Sequence, residues 1–358
     1  MQKLTVKEKN RQLRKQRSIE RQWWKDRLAA HRALNQSMKR QRDRRRKPHI
    51  PAERYFAPAV ISIDKQAERA ELLQFLDAIR DHYKNKSDLT LVIDFARTTH
   101  LVCGGTLLLY AELNRLIAYS SGNVKMRCTE PPSDRASQVL KQVGIYRLCG
   151  NKCNVATYRS DVVHWRVVQG QLVDNSLCAP TIEGYQDRLG PEMIDELLGG
   201  LGEATTNAIH HAYDDLRQDG LDYKGNKEWW MFSQVKDGRV SVAVCDLGIG
   251  IPASLPLKRP TIMEKLFLRK EAPTDADCIK EAIIEGRTST SLDGRGYGLG
   301  NIVNVVEGVQ GGTVIVYSNR GRYDSGGDSQ TTFDYSDSIM GTLIFWSVPM
   351  IEKSLRSN

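Results

Sequence analysis

The sequence has no run of apolar residues that approaches the roughly 18 needed to span a lipid bilayer. Charged residues occupy the N-terminus, where a secretory signal peptide needs an apolar segment. Hydrophobic residues make up 40% of the chain and charged residues 27%, which is the balance of ordinary globular domains. We therefore expect a cytoplasmic protein without a transmembrane segment, and the length of 358 residues predicts about two domains.

The cysteines lack the paired clusters that bind zinc. There are seven, an odd and scattered set that does not fit a disulfide framework. Cys149 and Cys153 are close in sequence, but no second pair follows to complete a four-ligand zinc site. We expect buried free thiols.

Proline is absent from residues 1–46, and acidic residues are scarce there. Residues 1–50 hold 18 Lys+Arg and 4 Asp+Glu, a charge of +14, whereas the remaining residues sum to −5. Good helix formers predict a basic helical arm over residues 1–54. Its basic block and the pair Trp23 and Trp24 suit phosphates and bases, so residues 1–47 are a candidate nucleic-acid-binding segment. A solvated tail with a packing role, a membrane surface and a protein partner stay open as alternatives.

Residues 55–170 alternate between strand and helix periodicity, which predicts an α/β domain. Strands are predicted over residues 60–63, 89–95, 124–128 and 162–168, and helices over residues 68–83, 107–118 and 133–143.

This domain resembles a STAS domain, the fold of anti-anti-sigma factors. The resemblance depends on Ile93-Asp94-Phe95-Ala96-Arg97 and on Leu101-Val102-Cys103-Gly104-Gly105, which opens the next helix. In the family the second stretch usually reads Asp-Ser-Ser-Gly, and one serine is phosphorylated. Val102 and Cys103 stand in its place, so the phosphorylatable hydroxyl is absent. Cys103 is either a reactive thiol at a helix N-terminus or a small residue that packs the turn.

After a linker over residues 171–190, a helix that begins near Glu192, with Pro191 in its first turn, carries the first motif, Glu203-Ala204-Thr205-Thr206-Asn207. A spacing of four places Glu203 and Asn207 on one helix face. A carboxylate and an amide in this arrangement can poise a water molecule and hold a metal that bridges phosphates. Glycines 199, 200 and 202 either interrupt the helix or let another backbone or a ligand approach closely.

Three further motifs follow along the chain. A strand, preceded by the hairpin signal Lys236-Asp237-Gly238-Arg239, ends at Asp246, a carboxylate that can accept the amino group of adenine. Gly248 and Gly250 then let the backbone approach the base. A glycine-rich loop opens a helix whose backbone amides can bind phosphate, and a late strand brings Thr342 near the adenine. The loop contributes Gly294, Gly296, Gly298, Leu299 and Gly300.

In this order, the motifs over residues 191–350 resemble the GHKL superfamily of gyrase, heat-shock chaperones, histidine kinases and mismatch-repair ATPases. The expected fold class is therefore a STAS-like α/β domain followed by a GHKL (Bergerat) α/β sandwich, with a basic helical N-terminal arm and a C-terminal tail over residues 351–358. The resemblance implies ATP and Mg²⁺ as cofactors, with Asn207 coordinating Mg²⁺ and Asp246 binding adenine. The glycines, Leu299 and Thr342 would shape the base pocket, the lid and the phosphate site, with a mobile lid within residues 252–287.

Glu203 separates the branches of this superfamily. Histidine kinases usually carry Asn at this position, whereas hydrolysing members and anti-sigma serine kinases carry Glu as a general base. The string Glu203–His211 looks most like the serine kinases, and no phosphoacceptor helix precedes the domain. Three interpretations stay open: a Mg-dependent ATPase whose nucleotide state controls a partner, a serine/threonine kinase, or a non-enzymatic ATP-bound scaffold. Dimerisation on ATP is common in the superfamily, so a homodimer is expected.

Overall fold

A large antiparallel sheet with a helical layer on one face forms the C-terminal part of the protein. The computed structural model describes residues 52–86, 89–223, 226–269, 272–288, 299–306, 308–326 and 329–351, so the predicted arm over residues 1–47 lies outside the described residues. The strands are β6 (Arg166–Gly170), β7 (Trp229–Lys236), β8 (Arg239–Asp246), β9 (Thr313–Ser318), β10 (Gly321–Gly326), β11 (Ser329–Asp334) and β12 (Thr342–Pro349). They form a seven-stranded sheet in the order β11-β10-β9-β12-β8-β7-β6, with antiparallel neighbours.

The helices of this part pack on one face of the sheet. They are α5 (Ala179–Ile182), α6 (Pro191–Asn207), α7 (Ile251–Lys258), α8 (Pro260–Arg269), α9 (Asp275–Thr288) and α10 (Leu299–Asn304). A π-helical turn, Ala208–Ala212, continues α6. Val242 and Val244 of β8 share a core with these helices, whereas Ala243 and Cys245 belong to a second core on the opposite face. Helices on one face of the sheet make an α/β sandwich, and the second core covers the opposite face.

The middle region is a smaller α/β assembly. Its parallel strands are β1 (Ala52–Phe56), β3 (Thr90–Asp94) and β5 (Met126–Cys128), and β2 (Val60–Ile61) pairs in parallel with β4 (His100–Leu101). Its helices are α1 (Gln66–Asn85), α2 (Cys103–Tyr119), α3 (Asp134–Val143) and α4 (Ile145–Leu148). The helices predicted over residues 68–83, 107–118 and 133–143 are thus confirmed, and the STAS resemblance stays a prediction.

Helix α2 joins the two regions. Its residues from Cys103 to Leu116 are all buried, and the helix contacts both α1 and strands β7 and β8 of the large sheet. No helix in the described ranges has both the length and the apolar character needed to cross a membrane. The two regions form one compact unit that begins at Ala52, and their division at residues 170 and 191 remains a prediction.

One predicted strand has a different partner from the one expected. We expected residues 162–168 to form the last strand of the middle domain, but β6 pairs antiparallel with β7 at the edge of the large sheet. The local apolar pattern indicated a strand here, but β6 begins only at Arg166, and residues 161–164 form a turn. The pattern carries no information on the sheet that the strand joins, because pairing depends on residues far along the chain.

The cysteines are free thiols, and all lie in the described residues. Six are buried and Cys153 is partly exposed. Cys103 is 3% exposed, and burial raises its thiol pKa well above the ordinary value. Since a reactive cysteine needs an accessible thiolate, the reactive-thiol interpretation is wrong, and Cys103 packs the start of α2.

Buried charges connect the middle region to the segment that follows the π-helical turn. Glu112 on α2 accepts hydrogen bonds from Arg80 on α1, at 2.8 Å, and from Arg217. Arg115 Nη1 lies 2.5 Å from Asp219 Oδ2, and the side chains of Glu112 and Asp219 are almost fully buried. Burial alone would raise the pKa of Glu112, but Arg217 and Arg80 outweigh burial and hold that pKa at about 2.

Replacing Glu112 by glutamine should lower the free energy of unfolding by roughly 3 kcal/mol at neutral pH, because two buried guanidinium groups lose the buried carboxylate that they share. Since the folded pKa is depressed, the Glu112 contribution is complete above 4.5 and is lost as pH falls towards 2. Urea unfolding measures the change. The control is Glu281→Gln, which removes a more exposed ion pair with Arg269 and should change stability by less than about 1 kcal/mol. Equal unfolding midpoints for the two variants would contradict the prediction.

Candidate functional site

A cavity of about 330 Å³ lies between the large sheet and its helical layer. It is within the size range of small-molecule sites, and its wall combines apolar side chains with a few polar groups. Most of the predicted site residues in the described part of the chain lie on this wall: Glu203, Asn207, Asp246, Gly250, Leu299 and Thr342. Residues from separate motifs therefore meet in one place.

Asp246 is the most deeply buried acid on the wall. It ends β8, it is 8% exposed, and it pairs in register with Thr342 of β12. Its Oδ1 accepts a hydrogen bond from the Gly248 amide at 3.0 Å. Burial raises the pKa of Asp246 to about 6, although hydrogen bonds from Gly248 and Thr342 oppose the rise. The Asp246 carboxylate is thus a hydrogen-bond acceptor held in a fixed position on the cavity wall.

Gly248 supports the site from behind the wall. A Cβ atom at Gly248 would lie 2.0 Å from the Ala212 carbonyl oxygen, so only glycine allows this approach. The Ile249 amide donates to the same oxygen at 2.8 Å. Gly248 therefore allows the loop after β8 to pack against the π-helical turn. Gly248 itself does not line the cavity.

Asn319 is a supporting residue that the sequence analysis missed. Its Nδ2 donates to the Ile249 carbonyl at 2.9 Å, and its Oδ1 accepts from the Gly341 amide at 3.2 Å. It thereby ties the loop after β8 to the segment before β12. Its left-handed φ of 51° is a conformation that asparagine tolerates, but that local signal says nothing of these distant partners.

Two arginines hold the same backbone from further away. Arg69 of α1 donates from Nη2 to the Asn319 carbonyl at 2.7 Å. Arg217 donates from Nε to the Met340 carbonyl at 2.6 Å while it binds Glu112 of α2. The middle region is therefore connected through side chains to the backbone beside Asp246 and Thr342.

Helix α6 presents Glu203 and Asn207 to the cavity. The three glycines do not interrupt this helix. Gly200 allows Val305 to pack closely against the helix, because a Cβ at Gly200 would lie 2.6 Å from Val305 Cγ2. Glu203 and Asn207 are half-buried on the wall. Burial raises the pKa of Glu203 to about 7, and the neighbouring Asn207 opposes that rise. The π-helical turn directly after Asn207 is a feature that is frequent at functional sites.

The oxygen donors on this wall suit a magnesium ion that also binds the phosphates of a nucleotide. Glu203 and Asn207 offer carboxylate and amide oxygens, the hard donors that Mg²⁺ prefers. Within the described ranges, no group of three or more His, Cys, Asp or Glu side chains could hold a metal ion. An ion here would therefore take its remaining ligands from nucleotide and water, which is the usual arrangement for Mg²⁺.

Residues 252–287, the segment predicted to include a lid, cover α8 and nearly all of α7 and α9, and inner residues of these helices line the cavity. Leu299 lines the cavity at the start of α10, while Gly300 is buried behind it. The Trp346 indole fixes α10 to the sheet by donating to the Ile302 carbonyl at 2.7 Å. Gly294, Gly296 and Gly298 lie outside the described residues.

Residues 183–318 match the family model described as histidine kinase-like ATPase domain. The match spans Glu203, Asn207, Asp246 and the helices around the cavity, and it ends at the last residue of β9. A comparison with curated proteins found no match. The family match supports a GHKL-type domain that binds ATP.

Proposed function

We propose, on the premise that residues 183–318 form a histidine kinase-like ATPase domain, that this protein is a Mg-dependent regulatory ATPase. The observation that carries the proposal is the meeting of Glu203, Asn207 and Asp246 on one cavity wall, where burial also raises the pKa of Glu203 to about 7. A base is most effective when its pKa lies near the working pH, and Glu203 meets that condition.

The base of ATP would lie against Asp246 and Thr342. The adenine amino group is a donor, and the Asp246 carboxylate is a buried acceptor already oriented by Gly248. The apolar side chains of Ile251, Leu255 and Ile344 on the wall would contact the ring. This arrangement favours adenine over guanine, because guanine carries an acceptor where adenine carries the amino group.

Asn207 would hold Mg²⁺ through its amide oxygen, and the ion when bound neutralises charge on the phosphates. Glu203, one helical turn earlier, would orient a water molecule and accept its proton during attack on the terminal phosphate. Since burial raises its pKa to about 7, Glu203 is a stronger base than an exposed carboxylate, and part of its population is still ionised near neutral pH. These roles divide the wall into a base-binding part at Asp246 and a reacting part at Glu203.

A protein kinase is the second candidate, because the string Glu203–His211 resembles that of anti-sigma serine kinases. An ATP-bound scaffold is the third. ATP labelled at the γ-phosphate separates them when the fate of the label is followed. Release as inorganic phosphate supports the ATPase, transfer to a protein supports the kinase, and binding without either supports the scaffold.

We further propose that nucleotide state controls how the protein engages a partner. Residues 1–47, with their excess of Lys and Arg, are the candidate segment for nucleic acid. Turnover measured with and without DNA or RNA tests that role, since stimulation would assign the arm to nucleic acid. Sedimentation with and without ATP tests the expected homodimer.

Adenosine binding should weaken roughly tenfold when the pH falls from 7.5 to 5, because Asp246, with a pKa of about 6, must be ionised to accept the adenine amino group. The raised pKa fixes the sign: affinity is full above about 7 and falls below 6. Adenosine rather than ATP is the probe, since it carries no phosphate for Glu203 to repel. Calorimetric titration measures the effect, and constant affinity across this range would contradict the assignment of Asp246.

A further inference from the structure

One face of helix α7 lines the cavity, and this face ends at the positively charged side chain of Lys258. Ile251, Ser254, Leu255 and Lys258 follow the spacing of one helical face, and all of them line the cavity. The helix begins beside Asp246, since the Ile251 amide donates to Ser318 Oγ, which in turn bonds Thr342 Oγ1. Lys258 lies seven residues further along, about 10 Å at the rise of an α-helix. That length is comparable to the separation of the base and the last phosphate of an extended nucleotide.

Among the described residues, the Lys and Arg side chains that line the cavity are those of Lys258 and Arg259. The same wall carries the acids Glu203, Asp246 and Glu285. His211 also lies there, but burial, followed by the charge of Lys258, lowers its pKa and disfavours its charged form. A triphosphate needs positive charge along its length, and among these side chains Lys258 and Arg259 supply it.

Lys258 is already engaged in an ion pair that a nucleotide can replace. Its Nζ lies 2.7 Å from Asp214 Oδ2, and the side chains are 42% and 28% exposed. Asp214 follows the π-helical turn, so the pair links that turn to the end of α7. Ion pairs with this exposure are weak, and a triphosphate presents several anionic oxygens to the ammonium group, whereas Asp214 presents one carboxylate.

We propose that Lys258 binds the triphosphate of the nucleotide and leaves Asp214 to do so. This inference rests on the proposed function, and it assigns part of the protein's affinity for the phosphates to Lys258. When Lys258 moves to the phosphate, the link between α7 and the π-helical turn is released. Nucleotide binding thus exchanges a protein ion pair for a ligand contact next to Asn207.

The test compares ATP, ADP and adenosine, each with Mg²⁺, in calorimetric titrations of the full chain. Lys258→Met keeps the apolar stem and removes the charge. It should weaken ATP binding roughly tenfold, weaken ADP binding less, and leave adenosine unchanged. Lys265→Met, on the exposed side of α8 and away from the cavity wall, is the matched control and should leave the affinities for the three ligands unchanged.

Asp214→Asn separates a phosphate contact from a structural role of the ion pair. It should leave ATP affinity unchanged or raise it a few-fold, because Lys258 no longer has to leave a carboxylate. The proposal is overturned if Lys258→Met binds ATP like the wild type, if it loses ATP and adenosine equally, or if Asp214→Asn weakens ATP as much as Lys258→Met does. A wild-type protein that binds neither ATP nor adenosine overturns the proposed function as well, whereas normal ATP binding by Lys258→Met overturns only this inference.

Discussion

Replacement of Asp246 by asparagine is expected to weaken ATP binding roughly 100-fold and to reduce the preference for ATP over GTP. The carboxylate accepts from the Gly248 amide at 3.0 Å and from Thr342, so these groups would draw the asparagine oxygen towards them. The new NH₂ group would then face the adenine amino group, and two donors cannot bond. Guanine presents an oxygen acceptor there, so GTP should lose less affinity or gain some.

Calorimetric titration with ATP and GTP measures both parts of this prediction. Because the substitution is isosteric, the thermal unfolding temperature should stay close to that of the wild type. Asp275→Asn is the control, since Asp275 accepts from the Arg320 amide and does not line the cavity. ATP affinity within a few-fold of the wild type, with unchanged preference over GTP, would contradict adenine recognition by Asp246.

Replacement of Glu203 by glutamine should reduce ATP turnover by about 10² to 10⁴ while ATP affinity stays the same or rises slightly. Glutamine keeps the shape of the side chain but cannot accept a proton from water. It also removes a negative charge next to the phosphates, which explains the direction expected for affinity. In the wild type, turnover should rise as pH passes through about 7, since burial raises the pKa of Glu203 to that value and the ionised form is the base.

Steady-state phosphate release and single-turnover measurements separate the chemical step from binding. Glu196→Gln is the matched control, because Glu196 lies on the same helix, exposed and away from the cavity. Its turnover should equal that of the wild type. If Glu203→Gln hydrolyses ATP at the wild-type rate, Glu203 is not the base and the proposed mechanism fails.

The parts of the fold that the sequence predicts are those encoded by local patterns. Helix α6 and strand β8 followed from the spacing of their apolar residues, and the spacing of Glu203 and Asn207 followed from helical geometry. The hairpin between β7 and β8 was equally local, because Asp237 and Gly238 adopt the positive φ angles that such a turn needs.

The sequence could not predict the residues that support the site from distant elements. Asn319, Arg69 and Arg217 act through backbone partners that lie far from them along the chain. Likewise, β6 was recognised as a strand but not as an edge of the large sheet. Such contacts arise only when elements that are distant along the chain pack together, so no local pattern encodes them.

Hydrogen–deuterium exchange with saturating Mg²⁺ and ATP tests most directly whether the nucleotide binds in this cavity. We predict slower exchange in peptides that cover residues 203–212 and 246–258, the segments that carry Glu203, Asn207, Asp246 and the inner face of α7. Peptides from β11, whose residues are all exposed, should exchange as in the free protein. Unchanged exchange in the cavity segments, or protection confined to other parts of the chain, would contradict the account.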